Sequence, residues 1–318
     1  MPSWQSHVIE LVVRSRVKRR ILSTEDVRAI RARLGPPPLL RHALSVGLRV
    51  EPVMVGTVRA EWVGEAATPD APVLLFLHGG GYLAGSADTH RPLAAALARR
   101  LGARALVPDY RLAPECPFPG AVEDSLAAYR YLLELGIPAE RIVIAGDSAG
   151  GGLTVAGTLA ARDAGLPMPR ALACFSPWVD LAHAGASLDE NEERCSMLRR
   201  AAVEKAATAY LAGASPHHPL ASPVYAELDG LPPLLVHSSA DELLRDDGVR
   251  LAARARAARV PVEFALYARV PHAWQHFERV LPEARASLDA AARFLARVTP
   301  RGPADVPSHA GSASSTLA

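Results

Sequence analysis

Three cysteines in 318 residues, Cys116, Cys174 and Cys195, are too few and too scattered for a disulfide framework. None belongs to a CxxC pair, so their spacing offers no zinc site either. A reducing cytoplasm is the simplest setting for such a chain, and that localisation is the expectation. Charge of one sign is equally scarce: 35 Lys and Arg stand against 33 Asp and Glu, a formal +2. Phosphate backbones demand a concentrated basic face, so nucleic acid is not an expected partner. No apolar run approaches the roughly 20 residues that a membrane-spanning helix needs. Near the start, the apolar stretch 8–13 is broken by Glu10 before a basic run, which does not read as a secretory signal. No internal repeat is present. What the chain does have is apolar residues, 49 % of the total, enough to bury one large core with at most a small accessory layer.

Residues 5–34 read as two short helices, the second capped by Ser23-Thr24-Glu25-Asp26. The first carries Arg14, Arg16, Lys18, Arg19 and Arg20. That run suits a membrane-surface helix or, as a single short basic cluster better explains, the solvated face of a helix covering an active site. Gly35-Pro36-Pro37-Pro38 ends the helix and starts an extended linker. Beyond it, short branched-apolar runs at 73–77, 105–107, 142–145, 171–175, 234–236 and 262–267 alternate with helical patterns at 92–101, 122–135, 149–164, 247–258 and 282–298. Apolar strands alternating with helices imply an α/β fold, a mostly parallel sheet covered on both faces. Residues 53–63 alternate more strictly and suit an antiparallel edge strand. The stretch 181–222 breaks the alternation, being polar and helical (199–211), and reads as a cap formed with the N-terminal helices. The expected organisation is therefore 1–50 cap helices and linker, 51–300 catalytic domain with 181–222 inserted, and 301–318 a disordered tail.

Gly146-Asp147-Ser148-Ala149-Gly150 lies between a buried strand and a helix. Gly-x-Ser-x-Gly at such a corner holds a serine hydroxyl above the sheet, because the glycines remove side chains that would clash there. The helix that follows aims its positive end at the site. His78-Gly79-Gly80-Gly81 follows another buried strand. Acyl transfer passes through an oxyanion that needs backbone N–H donors already in place, and glycines let the backbone come close. The candidates are the amides of Gly80, Gly81 and Ala149. A phosphate cradle is the alternative, but no Gly-Lys-Ser/Thr ending is present. His78 is better explained as a group that orders this loop than as a base.

A serine hydroxyl needs a histidine to take its proton and a carboxylate to orient that histidine. In this kind of fold both follow the serine, each after a late strand. For the acid, Asp241 follows the strand at 234–236, and Glu242, Asp246 and Asp247 compete. The last two suit the first turn of the next helix, where carboxylates favour the dipole. For the base, His272 follows the strand at 262–267, with His276 its rival one helical turn on. His183, His217 and His218 fall in the cap and His237 on a strand.

These segments resemble the hormone-sensitive lipase family, the bacterial family IV esterases of the α/β-hydrolase superfamily, over residues 70–280. His78-Gly79-Gly80-Gly81 and Gly146-Asp147-Ser148-Ala149-Gly150-Gly151 look like the family's two hallmark motifs. Family-like too are 109–115 (DYRLAPE), 118–124 (FPGAVED), Ser176-Pro177-Trp178 and Gly230-Leu231-Pro232-Pro233. The resemblance implies an eight-stranded sheet, a helical cap, Ser148 as nucleophile, Asp241 as acid, His272 as base and an oxyanion hole of Gly80, Gly81 and Ala149. His78, Gly79, Gly146, Asp147 and Gly150 would support those motifs. It further implies short- to medium-chain acyl esters as substrates, no cofactor or metal, and a homodimer as an admissible state. Residues 241–244 read Asp-Glu-Leu-Leu where many members have Asp-Pro-Leu. The first 20 residues faintly resemble members described as lactone or acetyl hydrolases. A lactonase or N-deacetylase would use the same residues. A non-catalytic receptor on this fold would typically lose the histidine, which His272 argues against.

Overall fold

The computed structural model describes residues 2–18, 27, 31, 39, 43 and 45–297. The expected cap at Ser23–Asp26, the Gly35–Pro38 break and the tail 301–318 lie outside them. Strands β1 (Val50–Val55), β2 (Val58–Val63), β3 (Val73–Leu77), β4 (Arg104–Pro108), β5 (Ile142–Asp147), β6 (Ala171–Phe175), β7 (Leu234–Ser239) and β8 (Val262–Tyr267) form one sheet. Its order is β1-β2-β4-β3-β5-β6-β7-β8. All pairs from β4 to β8 are parallel, and β2 is antiparallel to both of its neighbours. The single edge strand expected over 53–63 is a hairpin, closed at Val55 opposite Val58 with Gly56 at φ +59°. The period-2 alternation simply continues through that two-residue turn, which masked it.

Alternation also explains the two packed faces. Leu75, Leu77, Ile144, Cys174 and Val236 share one core with α3 (Gly120–Glu134), α4 (Ala149–Asp163) and α6 (Arg245–Ala257). Leu74, Phe76, Val143, Ala145, Ala173 and Phe175 share the other with α2 (Ala87–Leu101) and α7 (Pro282–Arg297). Each fully buried Leu or Phe contributes about 2 kcal/mol of transfer free energy, which is why near-continuous apolar runs became strands covered on both sides. Helix α2 begins five residues before the expected Pro92, because Ser86 and Thr89 form a reciprocal capping box.

Strand β3 is flanked by β4 on one side and β5 on the other, so the chain reverses its winding direction there. Ligand crevices in open α/β sheets form at such reversals, beyond the carboxyl ends of the strands. The His78–Gly81 loop leaves β3 and Ser148 leaves β5, so both meet at this point.

Residues 181–222 hold a helical turn, Ser187–Glu190, and helix α5 (Arg200–Leu211), with no strand. The turn Arg14–Lys18 that follows helix α1 (Trp4–Val13) attaches to this segment, whereas the start of α1 is held by Glu283 and the Arg269 carbonyl. The Arg14 guanidinium donates to the carbonyls of Glu193 and Arg194 at 2.7 and 2.6 Å, and the Lys18 ammonium to those of Glu192 and Cys195 at 2.5 and 2.8 Å. The basic run is thus not uniformly solvated: Arg16 is exposed, but Lys18 is buried. Its charge satisfies carbonyls that would otherwise be buried without donors. Among the described residues no helix is long and apolar enough to cross a membrane.

Candidate active site

Ser148 sits between β5 and α4 at φ +55°, ψ −123°, a conformation costly for a residue with a side chain. The surrounding chain enforces it. A Cβ on Gly150 would stand 2.0 Å from the Leu77 carbonyl oxygen, and one on Gly146 would stand 2.3 Å from that of Gly150. Only glycine lets β3, β5 and the start of α4 approach this closely. The Ser148 amide donates to Phe175 O, and its carbonyl accepts from Gly152 and Trp178. The corner is therefore tied to both neighbouring loops.

His272 lies beyond β8. Its loop is fixed by Ser239 Oγ donating to Val270 O at 2.6 Å and by the Ala273 amide donating to Ser176 Oγ at 3.2 Å. Nε2 stands 2.8 Å from Ser148 Oγ, and Nδ1 stands 2.5 Å from Glu242 Oε2. With Nδ1–H donating to the carboxylate, Nε2 is left to accept the serine proton. His276, the rival, faces Asp147 Oδ2 at 3.3 Å instead.

The carboxylate against His272 belongs to Glu242, not Asp241. Glu242 is 1 % exposed, and its other oxygen accepts from the Ser239 amide at 2.7 Å. Asn191 Nδ2 donates to the carbonyls of Ala240 and Glu242, clamping the turn from the cap side. Asp241 turns outward and accepts from the Arg269 amide at 2.9 Å in an exposed bond. The physical reason is where the strand stops. β7 runs on to Ser239, two or three residues past its expected end, and the turn after it points Glu242 inward, where the Ser239 amide and Asn191 hold it. Asp246 and Asp247 do occupy the first turn of α6: Asp246 accepts from the Ser187 amide in the 181–222 segment, and Asp247 from those of Val179 and Asp180 just before it. The sequence signal for Glu242 was slight, consisting only of the buried Leu243 and Leu244 that follow it.

The oxyanion candidates converge on the same corner. Gly80 and Gly81 have φ of +126° and +64°. The Gly80 carbonyl accepts from Leu83 and Ala84, which closes the loop into a turn. Among the described residues, neither glycine's amide donates to a protein acceptor. Ala149 opens α4, where backbone amides have no intrahelical acceptor. Gly79 binds the loop to the corner, its amide shared between Asp147 Oδ1 and His90 Nε2, both at 3.2 Å. His78 is fully buried, with Nδ1 2.8 Å from Gly79 O and its ring stacked on Tyr110. Burial pushes its pKa down to about 3, so it is a neutral ordering group and no base.

Asp147 is buried beneath the loop. Burial alone would raise its pKa, but His90 and His276 outweigh this and hold it well below the usual carboxylate range. Ser148, His272 and the two glycine loops thus lie together, and the carboxylate against His272 is that of Glu242, one position after Asp241.

Comparisons with known proteins place the chain beside esterases of this fold. A family model described as the alpha/beta hydrolase fold matches residues 74–276. An acetyl-hydrolase of Streptomyces hygroscopicus is 48 % identical over 250 residues, 79 % of this chain and 83 % of its own. A carboxylesterase of Mycobacterium tuberculosis is 36 % identical over 298 residues, covering 86 % of this chain and 89 % of its own. The crystal structure of an esterase from the bacterial hormone-sensitive lipase family superposes with a TM-score of 0.85 at 40 % identity, over 94 % of this chain and 99 % of the other.

Proposed function

This chain belongs to the hormone-sensitive lipase family of α/β-hydrolase-fold esterases, and from that premise we propose that it hydrolyses short- to medium-chain acyl esters through an acyl-Ser148 intermediate. The observation that carries the reading is the continuous chain Ser148 Oγ–His272–Glu242, with links of 2.8 and 2.5 Å. Ser148 Oγ attacks the ester carbonyl while His272 Nε2 takes its proton. Glu242 holds the tautomer and stabilises the imidazolium as it forms. Charge moves to the former carbonyl oxygen, which the amides of Gly80, Gly81 and Ala149 receive; each such donor typically lowers the barrier by about 3 kcal/mol. His272 then returns the proton to the leaving alcohol. A water molecule, deprotonated by the same nitrogen, attacks the acyl-enzyme and releases the acid.

A roof built from residues 181–222 and the N-terminal turn encloses this chemistry. A Cβ built on Gly81 would stand 3.5 Å from Ala206 Cβ, so α5 lies against the oxyanion loop. The test is hydrolysis of a p-nitrophenyl ester series from acetate to octanoate beside lactones and acetamides, with Ser148→Ala as control. Activity on the shorter esters that vanishes in Ser148→Ala is expected. Wild-type rates in that variant would end the proposal. A second reading, removal of an acetyl group from one particular metabolite, draws on the 48 % identity to an acetyl-hydrolase. Trivial rates on simple esters with high rates on one acetamide or lactone would favour it.

A further inference from the structure

We propose that His90, Asp147 and His276 form a binding site for one first-row divalent cation of the zinc class, beside the catalytic residues but sharing none of them. One carboxylate oxygen, Asp147 Oδ2, faces His276 Nε2 at 3.3 Å and His90 Nε2 at 3.5 Å. All three ligand atoms lie within 4.8 Å of one another. Metal–ligand bonds of 2.0–2.1 Å in a tetrahedron place neighbouring ligand atoms about 3.3 Å apart. Two edges of that figure are already formed, and the third, no longer than 4.8 Å, closes by a rotation of the His276 ring on the solvent side.

The His90 and His276 rings meet edge to face, with centroids 4.8 Å apart at 77°, and do not stack. His90 Nδ1 lies 2.8 Å from Thr89 Oγ1, whose own hydroxyl is 2.9 Å from the Ser86 carbonyl. If Thr89 donates to Ser86, it accepts from His90 Nδ1–H, and the lone pair is on Nε2, where the Gly79 amide now donates to it, 3.5 Å from Asp147 Oδ2. A partner on the second ring nitrogen is the usual device that orients a metal-bound histidine. Two imidazoles and one carboxylate suit zinc, cobalt or nickel and not the oxygen-rich shells of calcium or magnesium. His90 and Asp147 are buried while His276 is exposed, so an ion enters from the His276 side and keeps water as its fourth ligand. Cysteine spacing alone offered no metal site, and positions 90, 147 and 276 are so far apart in the chain that folding alone assembles them.

Occupancy would act on hydrolysis. The ion competes with the Gly79 amide for His90 Nε2 while Asp147 Oδ1 keeps its own bond to that amide, and it grips the turn Trp274–Phe277 that follows His272. Metal binding is measured independently of ester hydrolysis, so failure of one leaves the other standing. The experiment titrates full-length, chelator-treated protein with Co²⁺ and follows its visible absorption, then adds Zn²⁺ in competition. One Co²⁺ per chain with intense tetrahedral-type bands is expected. Zn²⁺ should displace it, and His276→Ala should weaken it at least tenfold, a change at an exposed side chain that spares the fold. His218→Ala, on the exposed cap surface, should bind like wild type. Zn²⁺ should slow p-nitrophenyl butyrate hydrolysis by the wild type and not by His276→Ala. Absence of the bands, bands of equal strength in His276→Ala, or zinc inhibition that this variant leaves intact overturns the assignment.

Discussion

Around Ser148 the backbone leaves no freedom, whereas around Glu242 the outcome turns on which of two adjacent carboxylates reaches inward. At the first site, glycines at 146 and 150 sit where any Cβ would penetrate a carbonyl oxygen, so the motif and the geometry are one constraint. At the second, Asp241 and Glu242 are both acidic, both follow β7 and differ in direction by a single residue step. Sterically determined sites can be read from residue types. Sites chosen by side-chain direction need the strand's true end, which no residue type announces.

The sharpest way to break this comparison is at its two ends. Ser148→Ala should lower kcat by about 10⁶-fold, as removal of a triad nucleophile does, measured by burst and steady-state kinetics on p-nitrophenyl butyrate. Glu242→Gln should lower kcat by about 10⁴-fold with little change in KM, because the amide no longer fixes the imidazole tautomer. A larger loss from Asp241→Asn than from Glu242→Gln would invert the assignment of the acid. Gly150→Ala probes the rigid side: its methyl would fall 2.0 Å from Leu77 O. It should destabilise the fold by more than about 3 kcal/mol in urea unfolding followed by circular dichroism.

A smaller effect concerns protons on the β7 side. His237 is buried with Nδ1 2.8 Å from Ser287 Oγ, and burial lowers its pKa to about 4. The folded state therefore refuses a proton that the unfolded chain accepts below pH 6.5. Stability is fully present above that value and falls by about 1.4 kcal/mol per pH unit between pH 6.5 and about 4. Urea midpoints across this window should show the slope in the wild type and a shallower one in His237→Asn. Smallest of all, Asp241→Asn should change kcat/KM by no more than about threefold, near 0.6 kcal/mol, since the amide oxygen can still accept from Arg269.

The parallel core strands, their helices and the Ser148 corner were legible because each is imposed locally. Strand runs such as 171–175 are apolar on both faces, helices repeat every three to four residues, and the corner admits only glycine at two positions. His272 was legible from chain order. The β1–β2 hairpin was not, because its alternation ran through the turn. The basic run was misread in part because a buried lysine and an exposed one look alike until their carbonyl partners are known.

By itself, then, the sequence determined a parallel α/β sheet with a serine held at a strained corner beside a glycine loop, since these follow from local sterics and apolar periodicity. Only the tertiary structure decided that Glu242 and not Asp241 faces His272, that Lys18 is buried against the cap, and that His90, Asp147 and His276 converge. Each of those depends on the direction of a side chain relative to residues far away in sequence. That direction is set by strand ends and packing, not by residue type.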